Sequence, residues 1–162
     1  MAASNNVIVL SANPQGKFVE GIIKTGLTPK PGTILQIDAS EAQVNGRDTW
    51  EIYNAAEDGG HPLGPFIVLC EDYLQGKDVD TAYAAGDRAF GYIPLAGDEL
   101  NLRWADASGT VDIAIGTVGM VDDGTGLIIE SAGSPETEVC LTREAYEGDT
   151  GEQLVHCVWS GY

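Results

Sequence analysis

AGDRAFGYIPLAGDELNLRW, residues 85–104, repeats the letters Ala-Gly-Asp at a spacing of eleven residues. Each copy precedes a run in which apolar and polar side chains alternate, first from Arg88 to Ile93 and then from Glu99 to Trp104. A period of two is the signature of a half-buried strand. Gly-Asp ahead of it is turn chemistry, because glycine accepts a positive φ and aspartate accepts local backbone N–H bonds. The stretch therefore reads as two strands introduced by the same kind of corner. Asp87 and Asp98 read as corner residues rather than catalytic acids.

The same punctuation runs through the whole chain. Short alternating or β-branched runs recur about every ten residues: NVIVLS, FVEGII, TILQI, TWEIYN, PFIVLCE, RAFGYIPL, ELNLRW, VDIAI, GLIIES, EVCLTR and QLVHCVW. Clusters of Gly, Pro, Asn and Asp separate them, such as NPQG, TPKPG, VNGRD, DDGTG, AGSPE and EGDTG. No segment sustains the helical spacing of apolar residues over three turns, and only pieces such as EDYLQGK or DVDTAYAAG would make a turn or two. This predicts a mainly β fold, a single-domain antiparallel β-barrel or β-sandwich (β-tulip-like) with little helix. Residues 1–16 lack acids, hold the apolar patch Val7-Ile8-Val9-Leu10 and end in a hinge-like NPQG turn. They read as an extended N-terminal arm ahead of a β-rich domain over residues 17–162.

Charge bounds the partners. The 162 residues carry 25 acids and 8 Lys or Arg, a formal charge of −17. Such a chain repels a phosphate backbone and disfavours anionic lipid, so neither nucleic acid nor membrane is an expected partner. The charge is unevenly spread: residues 1–37 sum to +2 and the remainder to −19. A weakly basic front is suited to docking on an acidic neighbour, including another copy. No run approaches the ~20 apolar residues that span a bilayer, and Val7 to Leu10 is too short for a signal-peptide core.

The chemistry-bearing residues are few. Cys70, Cys140 and Cys157 form neither a paired Cys-x-x-Cys set nor a secreted disulfide framework, so reduced thiols are expected. If Gly148 and Asp149 centre a two-residue hairpin turn, Cys140 lies opposite Cys157, Leu141 opposite His156 and Val139 opposite Val158. The alternative turn DTGE stays open. Of the two histidines, His61 sits in a turn-rich loop and His156 in an apolar strand, where it and Cys157 point to opposite faces and cannot grip one zinc ion. DDGTG, residues 122–126, lacks the alternating acids of a calcium loop and reads as a hairpin connection. The glycines around it fit no phosphate-binding pattern. No catalytic residue, cofactor or metal site is expected.

AGDR before a strand resembles the Gly-Asp-Arg corner of trimeric dUTP pyrophosphatases, but neither their Asp/Tyr substrate hairpin nor their glycine-rich C-terminal arm is present. A broader resemblance covers residues 26–131 in pieces. A proline-glycine corner in GLTPKPGTILQI, the GDR-aromatic corner, the acidic GDE turn, an AIG segment and the DGTG turn follow one another as in the head decoration, or cement, proteins of tailed bacteriophages. The resemblance implies a non-enzymatic virion protein on the outer surface of an icosahedral capsid, made in the host cytoplasm. It implies the major capsid protein and a self-trimer as partners, neighbouring capsomers being bridged. The expected interface residues are Val7, Ile8, Val9, Leu10, Lys17, Trp159 and Tyr162. Two other readings compete, a trimeric β-barrel enzyme acting on nucleotides and a carbohydrate-binding module using residues such as Trp50, Tyr53 and Trp104.

Overall fold

The structure, a computed structural model, describes residues 7–54, 65–105, 111–131, 138–149 and 151–160. The first barrel is built from β1 (Lys17–Ile23), β2 (Ile34–Ile37), β3 (Thr49–Ile52), β4 (Ile67–Leu69) and β5 (Arg88–Ile93), closed in the order β1-β3-β2-β4-β5. A single 3-10 turn, Tyr73–Gln75, interrupts the connection between β4 and β5. The second barrel closes as β10-β12-β6-β9-β8, from β6 (Glu99–Trp104), β8 (Val118–Val121), β9 (Ile128–Glu130), β10 (Glu138–Thr142) and β12 (Gln153–Trp159). Outside it, β7 (Val111–Ile113) pairs with β11 (Tyr146–Asp149). The all-β expectation holds, with the barrel present twice. Most pairings are antiparallel, but each barrel contains one parallel contact, β1 with β3 and β6 with β9.

Both AGD corners lead into the strands that the alternation predicts. Gly86 and Gly97 have φ of 81° and 95°, the left-handed region that glycine enters without a steric penalty. The strand between the corners, β5, belongs to the first barrel, and β6, which follows the second corner, belongs to the second. The quoted stretch is therefore the hinge from one barrel to the other.

One buried cluster joins the two. It takes in Ile34, Tyr53, Val68 and Tyr92 from the first barrel with Leu100, Trp104, Val139 and Trp159 from the second. Tyr53 stacks on Phe66 at 5.2 Å between centroids, and Phe66 meets Trp159 at 6.0 Å. Backbone bonds cross the same joint: Ile34 N–H donates to Gly126 C=O (2.8 Å), Gly124 N–H to Tyr53 C=O (2.9 Å) and Arg103 N–H to Gly32 C=O (3.1 Å). DDGTG is thus a hairpin connection, as expected, and it docks on the opposite barrel. The Arg103 side chain is buried, donating to the carbonyls of Pro31 and Val79, with Asp80 at 3.1 Å.

The register of β10 against β12 differs from the expectation. Cys140 lies opposite Trp159 and Thr142 opposite Cys157. The chain between the two strands does not fold as a two-residue turn, because β11 leaves to pair with β7. The slip is two residues, which preserves the face of every side chain. Both thiols consequently still point into the core, and Cys70, Cys140 and Cys157 are all free and buried. A hydrogen bond with the neighbouring Cys157 thiol, and after it burial, hold the Cys140 thiol well above its ordinary pKa. The Trp104 indole N–H donates to Cys157 Sγ at 3.2 Å.

Candidate assembly interface

The described part of the N-terminal arm, residues 7–16, lies along the chain's own β6 and joins it through one isolated bridge. Val9 bridges to Leu100 in antiparallel sense. Asn101 N–H donates to Ile8 C=O (2.8 Å), and Leu10 N–H donates to Glu99 C=O (2.9 Å). Side chains fasten the same edge: Asn101 Nδ2 donates to Val7 C=O (2.6 Å), Ile8 N–H to Glu71 Oε2 (3.1 Å) and Glu99 N–H to Ser11 Oγ (2.7 Å). Alternation then sorts the apolar patch. Ile8 is completely buried, whereas Val7 and Leu10 are exposed and Val9 is partly so.

Where the arm turns into β1, it is held by the second AGD corner. The Asp98 carboxylate accepts from Gln15 N–H (2.8 Å), Gly16 N–H (3.1 Å), Leu95 N–H (2.9 Å) and the Tyr92 phenol (2.6 Å). Asp98 is 2% exposed. Burial alone would raise its pKa; the bonds from Gln15, Leu95, Tyr92 and Gly16 outweigh burial and lower it below the ordinary aspartate value. The same environment pushes Tyr92 up to about 12, through burial first and the bond to Asp98 second. At the first corner, Asp87 accepts from Ala84 N–H (2.8 Å) and pairs with Lys77 at 3.0 Å. Those two partners, the backbone bond first, lower its pKa. Both aspartates are corner residues, and the buried one also ties the arm and both barrels together.

Arm and first barrel enclose a groove of about 400 Å³, lined by Val7, Val9 and Pro14 from the arm and by Phe18, Glu71 and Phe90 from the barrel. Phe18 is 56% exposed on the outer face of β1, beside Lys17. The expected interface residues therefore divide. Val7, Val9, Leu10 and Lys17 reach the surface on the arm side, while Ile8 and Trp159 are buried in the chain's own core. Tyr162 and His61 lie outside the described residues. His156 is partly exposed, its ring Nε2 3.5 Å from Glu99 and its backbone N–H donating to Glu144, and Cys157 beside it faces the core.

The anchoring role of Asp98 is the feature that sequence reading misses. GDE announces a corner, but its bonds to Gln15 and Gly16 span more than eighty residues. A second charged cluster sits at the far end of the first barrel. Lys24 lies 2.7 Å from Asp38 and 2.6 Å from Glu51. Burial would raise Asp38, but bonds from Lys24 and Ser40 bring it down to about 2. Among the described residues no group of three or more His, Cys, Asp or Glu is arranged to hold a metal ion, and no helix is long and apolar enough to cross a membrane.

No family model and no curated protein matches the chain. Among solved structures, the head fiber gp8.5 N base of bacteriophage phi29 aligns over 89% of this chain and 95% of its own, with a TM-score of 0.49 and 15% identity.

Proposed function

We propose that this chain is a non-enzymatic structural protein of a bacteriophage virion, seated as a homotrimer on the outer surface of the icosahedral head and bridging neighbouring capsomers. The observation that carries the reading is the use made of the corner acids. Asp98, in the stretch where a catalytic carboxylate would be sought, is buried and accepts four hydrogen bonds that fasten strand, corner and arm. Asp87 is held by its own turn and by Lys77. Two closed barrels sharing a core make a stiff body, suited to bearing load. A charge of −17 favours a place outside the shell, away from packaged DNA. Many copies on one particle supply avidity without any single strong contact.

The reading is tested by mixing the purified protein with heads assembled without it. Saturable co-sedimentation, together with heads that withstand higher temperature, is the expected result. Failure to bind, or turnover of a nucleotide that is abolished by Asp87→Asn, overturns it.

A further inference from the structure

Between β4 and β5 the chain makes a tight projection, residues 71–77, which is fastened far more heavily than its length requires. Asp72 is nearly buried, and its carboxylate accepts from Leu74 N–H (3.0 Å) and from Gln75 Nε2. Its backbone pairs twice with Lys77, where Lys77 N–H and Asp72 N–H each donate to the other residue's carbonyl at 2.9 and 2.8 Å. Gly76, with φ of 70°, closes the turn. Gln75 Nε2 also donates to Arg88 C=O (3.1 Å), and Lys77 Nζ donates to Ala82 C=O (3.0 Å) and lies over the Tyr83 ring.

This framework holds two large apolar side chains outward: Leu74 is 98% exposed and Tyr73 59%. A lone exposed leucine is ordinary on a protein surface. A leucine and a tyrosine side by side on a backbone that cannot fold them inward are a preorganised anchor. Such residues dominate binding because little further ordering is needed when they enter a pocket. The charge around them selects the partner. Residues 71–80, EDYLQGKDVD, hold four acids and one lysine; Lys77 is paired with Asp87, Asp72 is buried in the turn and Asp80 lies 3.1 Å from Arg103, so Glu71 and Asp78 leave the rim acidic. Most of a second copy's surface, −19 over residues 38–162, meets this rim with like charge, and a crosslink separates a sister copy from a basic-rimmed partner.

Resting on the virion reading above, we propose that the Tyr73–Leu74 turn is the anchor that seats this chain on the head, Leu74 entering an apolar slot rimmed by lysine or arginine on the shell subunit. The test compares wild-type protein, Leu74→Asp and Leu74→Met in co-sedimentation with heads assembled without the protein, across a range of salt. A photo-crosslinking residue at position 74 reports what the turn touches. The turn is exposed, so both variants keep the wild-type melting temperature. Leu74→Asp is expected to weaken binding at least about tenfold, as loss of a hot-spot residue does. Leu74→Met retains binding, wild-type binding falls as salt rises, and the crosslink captures the shell subunit. Wild-type binding by Leu74→Asp, or a crosslink to another copy or to nothing, overturns the anchor and leaves the virion reading standing. Failure of the wild-type protein to bind overturns both.

Discussion

The Tyr92 phenol and the Asp98 carboxylate lie 2.6 Å apart across the hinge between the two barrels, with Tyr92 on β5 and Asp98 at the corner before β6. The same carboxylate holds Gln15 and Gly16, so one buried acid governs the arm, the corner and the relative placement of the sheets. Replacing it with alanine leaves Gln15 N–H, Leu95 N–H and the Tyr92 phenol without this acceptor, while Gly16 N–H keeps the Tyr92 hydroxyl at 2.7 Å. Bonds to a charged group contribute about 1.5–3 kcal/mol each, so Asp98→Ala is expected to destabilise by about 3 kcal/mol or more, and Tyr92→Phe by about 1.5–3 kcal/mol. Urea unfolding measures both. Hydrogen exchange at Gln15 is expected to accelerate in Asp98→Ala before exchange in the strands does.

Acid is expected to act through the same group. Asp98 and Asp38 both have folded pKa values below their unfolded ones, Asp38 at about 2. Their stabilisation is therefore complete above the unfolded value, near pH 4, and is lost as pH falls through the folded values. Stability against urea should be level with respect to these two groups above pH 5 and fall below pH 4. The fall should be shallower in Asp38→Asn, whose side chain does not titrate. An identical acid profile in that variant would show that Asp38 contributes nothing.

The arm is part of the fold as well as of any interface. Ile8 is fully buried, so Ile8→Ala is expected to cost about 2–5 kcal/mol, the range for truncating a large aliphatic core residue. Deleting residues 1–16 is accordingly expected to lower the melting temperature by several degrees, beyond any effect on attachment. An unchanged melting curve would show that the arm does not dock on β6.

Gly119 tests the packing of the second barrel. A Cβ there would lie 2.6–2.7 Å from Ile128, Cys140 and Trp104, so Gly119→Ala is an overpacking change expected to cost about 1–3 kcal/mol. The thiols give a separate check: none should react in the native protein, and all three should titrate on unfolding without reductant. Fewer than three would reveal a disulfide.

These residues also explain what was legible in the sequence. Ten of the alternating runs are strands, and nine of these are barrel strands, whose period-two pattern records a face turned to the interior; β7 is the exception, in a separate ladder with β11. β8 was hidden by Gly119, which looks like loop punctuation but is glycine because Trp104 and Ile128 occupy the space of its side chain. β11 was hidden by the turn-like letters of EGD. Strand partners were not legible, since the parallel contacts of β1 with β3 and of β6 with β9 depend on long-range closure rather than on adjacent turns. The apolar run of the arm is legible as a segment that pairs with a sheet edge, although it forms one bridge rather than a strand. Its acceptor, the chain's own β6, is not legible, because nothing in VIVL distinguishes Leu100 of the same chain from the edge of a neighbour. The corner role of Asp98 is legible in GDE, whereas its hold on the arm depends on residues more than eighty positions away in sequence.

The most direct test of the virion proposal is an image of the intact particle at a resolution that separates barrels. Threefold clusters of paired-barrel density on the outside of the shell, each with its 71–77 turn against a shell subunit, are the expected result. Particles that lack such density, or that carry it inside the shell, would contradict the proposal.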